Sequence, residues 1–75
     1  MAEQTVRIRT DYITLDAFLK WVGVAQTGGH AKTLIADGEV QVNGEVELRR
    51  GRKLHPGDRI RMRAGDSWLL AREGE

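Results

Sequence analysis

Cysteine is absent from this 75-residue chain, proline occurs once, and the aromatic residues are two tryptophans, one tyrosine and one phenylalanine. Without cysteine, disulfide staples and thiolate metal sites are excluded, which suits a reducing compartment. Only His30 and His55 remain for imidazole chemistry, and the chain offers no His or carboxylate spacing of the metal-ligand type. No charged-then-apolar leader opens the sequence, and no apolar run approaches the roughly 18 residues that span a bilayer. A soluble, cytoplasmic protein without a membrane partner is expected. No nucleophile and base stand in a pairing that a sequence reveals, so neither catalysis nor a cofactor is expected.

What is present suits one small domain over residues 1–75. The composition is 40% apolar and 31% charged, and a chain of this size buries only about 60% of its unfolded surface. Internal repeats, low-complexity segments and linkers are missing. The formal net charge is only +1, but the charge is unevenly placed. Arg49, Arg50, Arg52, Lys53, Arg59, Arg61 and Arg63 follow one another with Asp58 as the single acidic residue among them. Such a run is either a set of solvated strand faces and turns or an anion-binding surface.

Hydrophobic periodicity supplies the elements. Thr5-Val-Arg-Ile-Arg9 alternates at the period of a strand and is expected to be short and at a sheet edge. Thr14 is a candidate N-cap for a helix whose buried stripe is Leu15, Phe18, Leu19 and Val22, with Gly23 as its stop and Val24 packing back. Thr27 is a candidate cap for a second helix with Ala31, Leu34 and Ile35 inward, ended by Gly38. Val40-Gln-Val42 then runs into Asn43-Gly44, the strongest short hairpin signal, because a type I′ turn needs positive φ at both central residues. Val46 and Leu48 are read as the inward face of the returning strand. Lys53-Leu-His55 is a short extended piece, with His55 on the surface, and Pro56-Gly57 turns into Arg59-Ile-Arg-Met-Arg63, with Ile60 and Met62 inward. Ser67 to Ala71 is the last strand, and Arg72 to Glu75 a frayed tail. Phe18 belongs to the core. Trp21 and Trp68 are expected to fill the core or cover its rim, and Trp21, which lies off its helix's stripe, has a stacking role outside the core as its alternative.

The order of elements and four pieces of sequence carry a family likeness. Ile13-Thr-Leu-Asp-Ala-Phe-Leu-Lys20, Ala31-Lys-Thr-Leu-Ile-Ala-Asp-Gly38, Val40-Gln-Val-Asn-Gly44 and Pro56-Gly-Asp58-Arg-Ile60 occur in the order and spacing of the αL RNA-binding motif, the domain named for the fourth small-subunit ribosomal protein. The chain resembles that family over about residues 13 to 63. It is similar in particular to its small stand-alone bacterial members, the YaaA-like group, through Thr27-Gly-Gly-His-Ala-Lys32 and Arg49-Arg-Gly-Arg-Lys53. The resemblance implies an α+β fold, with two short helices packed on a small, mostly antiparallel sheet that includes the Asn-Gly hairpin. It also implies a non-catalytic, monomeric RNA binder acting on structured ribosomal RNA or the ribosome during assembly or translation, with ribosomal proteins as candidate neighbours.

The candidate RNA contacts fall in two groups. Arg49, Arg50, Arg52 and Lys53 surround a glycine turn, where successive cations can meet successive phosphates and arginine can fork onto a phosphate or stack on a base. Gly28, Gly29 and His30 open the second helix, where many family members carry an arginine between two serines; Gly28 stands in the arginine's place. Glycines let a phosphate approach the backbone, and the free N–H groups of a helix start attract anions, with Lys32 adding charge. The alternative is a helix entrance that uses glycine only for its backbone angles. Lys20, at the end of the first helix, is a minor candidate whose charge the helix dipole also explains. For Trp21 the alternative to a core or rim position is stacking on RNA bases. With few aromatic residues for surface stacking, recognition is expected to rest on shape and backbone, with modest sequence specificity.

Two rival readings remain. A ribosome-associated adaptor would use the same basic loop on an acidic protein surface. The β-grasp sulfur carriers also combine an Asn-Gly hairpin with a late Gly-Asp turn, but they open with a hairpin before the helix, and Arg72-Glu-Gly-Glu75 is not the Gly-Gly end that they activate.

Overall fold

The computed structural model describes residues 3–74. Along the chain run β1 (Gln4–Ile8), β2 (Ile13–Thr14), α1 (Leu15–Trp21), α2 (Gly28–Ala36), β3 (Val40–Val42), β4 (Glu45–Val46), β5 (Lys53–Leu54), β6 (Arg59–Met62) and β7 (Ser67–Arg72). Five strands form one sheet in the order β1-β7-β6-β3-β4, and β2 pairs with β5 in a separate two-residue ladder. Only β1 and β7 run parallel; β7–β6, β6–β3, β3–β4 and β2–β5 are antiparallel. The fold is thus the expected small α+β arrangement. Neither helix is long and apolar enough to cross a membrane.

Alternation builds the core. Val40 and Val42, Ile60 and Met62, and Trp68 and Leu70 lie opposite or beside one another on one sheet face. There they meet Leu15, Phe18 and Leu19 of α1 and Ala31 and Ile35 of α2 in a single buried cluster. Phe18 meets Trp68 edge-on, with ring centroids 5.7 Å apart, the geometry that aromatic quadrupoles prefer. The other sheet face carries Gln41, Arg59, Arg61 and Leu69 and is left uncovered by the helices.

The hairpin forms for the local reason expected. Asn43 has φ 54° and Gly44 φ 87°, the pair of positive values that a two-residue type I′ turn needs. The Asn43 side chain also ties the turn to β6, accepting from the Arg59 N–H at 2.9 Å and donating to Asp58 Oδ1 at 3.0 Å.

Several expectations are corrected. Val46 and Leu48 do not face inward; both are exposed. The two-residue turn sets Gln41 opposite Val46, so Val46 shares the open face with Gln41, and the inward position falls to Glu47. A one-residue change of phase inverts every side chain of a strand. Trp21 neither fills the core nor covers it, since more than half of it is exposed. Thr14 occupies the N-cap of α1 but makes no capping bond through its side chain. The tail is held as far as Glu73: Arg72 is part of β7, and the Glu73 N–H donates to the Ile8 carbonyl at 2.8 Å. Glu75 lies outside the described residues.

Candidate nucleic-acid interface

A hairpin that turns tightly at Asn43-Gly44 delivers Glu47 to the inside of the returning segment, where it is only 7% exposed. An isolated carboxylate there would be costly, and the next residues compensate it. Its Oε2 accepts from the N–H groups of Leu48 and Arg49 and from Arg49 Nε, each at 3.1 Å. Its Oε1 accepts from Arg49 Nη2 at 3.3 Å and from Arg52 Nη1 at 2.7 Å. The hydrogen bond from Arg49, and then that from Arg52, holds the Glu47 carboxyl down at about 2 against an ordinary 4.5, although burial pushes the other way. The carboxylate in turn raises the Arg49 guanidinium.

The loop is also fastened to the first helix. The Leu15 N–H donates to the Arg52 carbonyl at 2.9 Å and the Asp16 N–H to the Arg50 carbonyl at 3.1 Å. Donors at a helix start need partners from outside the helix, and α1 finds them in the loop's main chain. Asp16 Oδ1 accepts from the Ala17 N–H at 2.8 Å. The β2–β5 ladder, with Thr14 opposite Lys53, adds a second attachment. The sequence therefore fixes the backbone of 49–53 from both sides, turns Arg49 and Arg52 onto Glu47 and leaves Arg50 and Lys53 exposed.

The four cations of the loop are not equivalent. Arg52 is largely covered, its side chain 31% exposed, whereas that of Arg49 is 77% exposed despite its contact with Glu47. Arg50 is exposed and, among the described residues, takes part in no ion pair. Lys53 is exposed, its Nζ 4.9 Å from the centroid of the Tyr12 ring. Arg49, Gly51, Arg52 and Lys53 line a shallow concavity. Three cations around a concavity can seat an oxyanion; Arg49 and Arg52 are oriented by Glu47, whereas Lys53, and Arg50 outside the lining, are not.

The start of α2 differs from its expectation at one residue. The Thr27 side chain caps it as read, accepting from the His30 N–H at 3.0 Å, so the main-chain donor of His30 is engaged within the protein. The His30 ring folds back as well, its Nδ1 accepting from the Gln26 N–H at 3.3 Å. Gly28 and Gly29 are exposed and have no positive φ. A Cβ added at Gly28 would meet nothing within 4 Å, and one at Gly29 only Thr27 Oγ1 at 3.9 Å. Local backbone angles and space therefore do not require glycine at either position. Lys32 and Lys20 are exposed, on α2 and in the last turn of α1 respectively.

The two groups bracket α1. The loop is bound to its N-terminus, and the chain leaving its C-terminus returns the Ala25 N–H to the Leu19 carbonyl at 3.1 Å shortly before α2 begins. Seven residues of helix place these ends about 10 Å apart. Glu47 and Tyr12 escaped the sequence reading. Glu47 had a signal in retrospect, an acid at 47 followed by arginines at 49 and 52; Tyr12, in a stretch without periodicity, had none.

Comparison with known proteins gives two findings. The family model described as S4 domain matches residues 6–68. A protein of Bacillus subtilis (strain 168), named "Probable ribosome maturation protein RlbA", is 44% identical over 65 residues, which cover 87% of this chain and 92% of that relative.

Proposed function

Because the chain belongs to the S4-domain family, we propose that it binds structured RNA as a monomer and without chemistry, with ribosomal RNA as the partner and ribosome assembly as the setting. The observation that carries this reading is the basic loop 49–53, whose backbone is pinned to α1 and to β2 while Arg50 and Lys53 stay exposed. A surface fixed before binding loses little conformational freedom when it engages a ligand. The name of the Bacillus relative, "Probable ribosome maturation protein RlbA", supports the ribosomal setting. Phosphate contacts from Arg49, Arg50, Arg52 and Lys53 form one arm of the site; Gly28, Gly29 and Lys32, with Lys20 and the His30 side chain nearby, form the other.

The test is a salt series with ribosomal RNA fragments. Three phosphate contacts give a slope of log affinity against log salt of about −3, which is a loss of about 60-fold between about 50 and about 200 mM. Absence of binding at low salt, or binding insensitive to salt, would exclude the reading.

The α2 arm has its own test, in which stability and affinity are expected to move in opposite directions. Replacing Gly28 and Gly29 with alanine stabilises the fold by about 0.5–1 kcal/mol, because the unfolded chain loses freedom and a Cβ fits at both positions. The same change keeps a phosphate from the backbone and lowers RNA affinity by about three- to tenfold. A more stable variant with unchanged affinity would remove the start of α2 from the site.

A further inference from the structure

Two of the four aromatic side chains, Phe18 and Trp68, are buried; Tyr12, like Trp21, is not. The residue is 42% exposed, it stands outside the core cluster, and among the described residues its hydroxyl has no hydrogen-bond partner. Its backbone is nevertheless well anchored. The Thr10 hydroxyl donates to the Tyr12 carbonyl at 2.7 Å, and the next two residues pair with Lys53 and Leu54. On one side of the ring lies Lys53 Nζ, and the His55 ring stands 6.2 Å away, tilted by 47°. Arg9, Thr10, Asp11, Ile13 and Thr14 line a concavity together with Tyr12. Tyr12 is thus an exposed aromatic residue whose backbone is tied down beside β5 and whose ring lies next to a cation of the basic loop.

We propose that Tyr12 is a stacking platform for one unpaired nucleotide, whose adjoining phosphates lie on the Arg49–Lys53 loop, so that the ligand is an RNA helix interrupted by a bulged or single-stranded nucleotide. The inference rests on the RNA reading and narrows its substrate class. Unstacked bases are recognised on aromatic rings, and a base accepted for its π face is accepted with little regard to its identity. In the free protein the Lys53 ammonium rests near the ring, a favourable cation–π arrangement. When a base takes the ring face, the flexible lysine stem carries that charge to the phosphate beside it. The tilted His55 ring forms a side wall that a base can contact by its edge.

Three RNAs separate the outcomes: a continuous duplex, the same duplex with a one-nucleotide bulge, and the bulged duplex with an abasic nucleotide at the bulge. The wild-type protein is expected to bind the bulged RNA about tenfold more tightly than the other two. Tyr12→Phe keeps this preference. Tyr12→Ala and Tyr12→Leu, the second retaining an apolar side chain, bring the bulged RNA to the duplex level without weakening duplex binding; thermal melting of each variant verifies that it is folded. Equal wild-type affinity for all three RNAs would overturn the stacking platform and leave the RNA reading standing. An equal loss on all three in tyrosine variants that melt as folded proteins would overturn it too, since the ring would then serve every RNA alike. Absence of wild-type binding to any of them would overturn the RNA reading itself.

Discussion

Arg50→Glu together with Lys53→Glu is expected to weaken RNA binding by at least about a hundredfold at low salt, because each reversal removes a charge-assisted contact worth about 1.5 kcal/mol or more. It is also expected to lower the salt slope by about 2. These two side chains are the ones to reverse, since both are exposed and neither is bound to Glu47. Arg52→Glu would instead set a second carboxylate against Glu47 and break the loop, and the lost affinity would then report structure. At exposed positions the change in stability is expected to stay within about 0.5 kcal/mol. Titrations of the double variant and the wild type across the same salt series, with a thermal melt of each, decide the matter. Unchanged affinity and slope would take the loop out of the RNA site.

Glu47→Ala is expected to act on stability and binding at once. Removing the carboxylate leaves Arg52 partly covered and unpaired, and deprives two main-chain N–H groups and Arg49 of their acceptor. The expected cost is about 2–3 kcal/mol, or a fall of about 10–20 °C in melting temperature for a domain of this size. Bare charge predicts the opposite sign for RNA binding, because the protein becomes more positive. A preset loop predicts a loss of about tenfold, since Arg49 and Arg52 would have to be ordered on binding. Affinity that rises in Glu47→Ala at a temperature where the variant is folded would show that the acid serves the fold alone.

Acid provides a second measure of the same carboxylate. The folded value of about 2 lies below the unfolded 4.5, so its stabilisation is complete above pH 4.5 and fades as pH falls from there towards 2. A shift of this size has a ceiling of about 3 kcal/mol. Water around the exposed Arg49 reduces that to about 1–2 kcal/mol. In urea midpoints taken down this range, that part of the decline is expected to be missing from Glu47→Gln.

Local chemistry made the hairpin and both helices legible in the sequence. Asn43-Gly44 demands its turn whatever surrounds it, and Thr27 caps α2 through the N–H three residues on. The β2–β5 ladder was hidden, because two-residue strands have no period to detect. The phase after the turn was misread for a more instructive reason. Glu45-Val-Glu-Leu48 alternates equally well in either phase, and apolarity chooses Val46 and Leu48 for the inside. The turn length decides otherwise, and Glu47 goes in because Arg49 and Arg52, later in the chain, neutralise it. Among the candidate contacts, the cationic residue types were plain from the sequence. That Arg49 and Arg52 divide their charge with a buried acid while Arg50 and Lys53 do not was invisible until the loop was folded.

The parallel pairing of β1 with β7 has a consequence for how the protein comes into being. A chain made from its N-terminus outward carries β1 without a partner until residues 67–72 have followed it. Exposed Arg7 and Arg9 discourage that waiting strand from joining another chain. By contrast, everything that anchors the basic loop, α1, β2, Glu47 and β5, has been synthesised once Leu54 is made. The nascent chain can therefore shape its RNA-facing loop early, and the long-range pairing that slows folding closes the sheet only at the end.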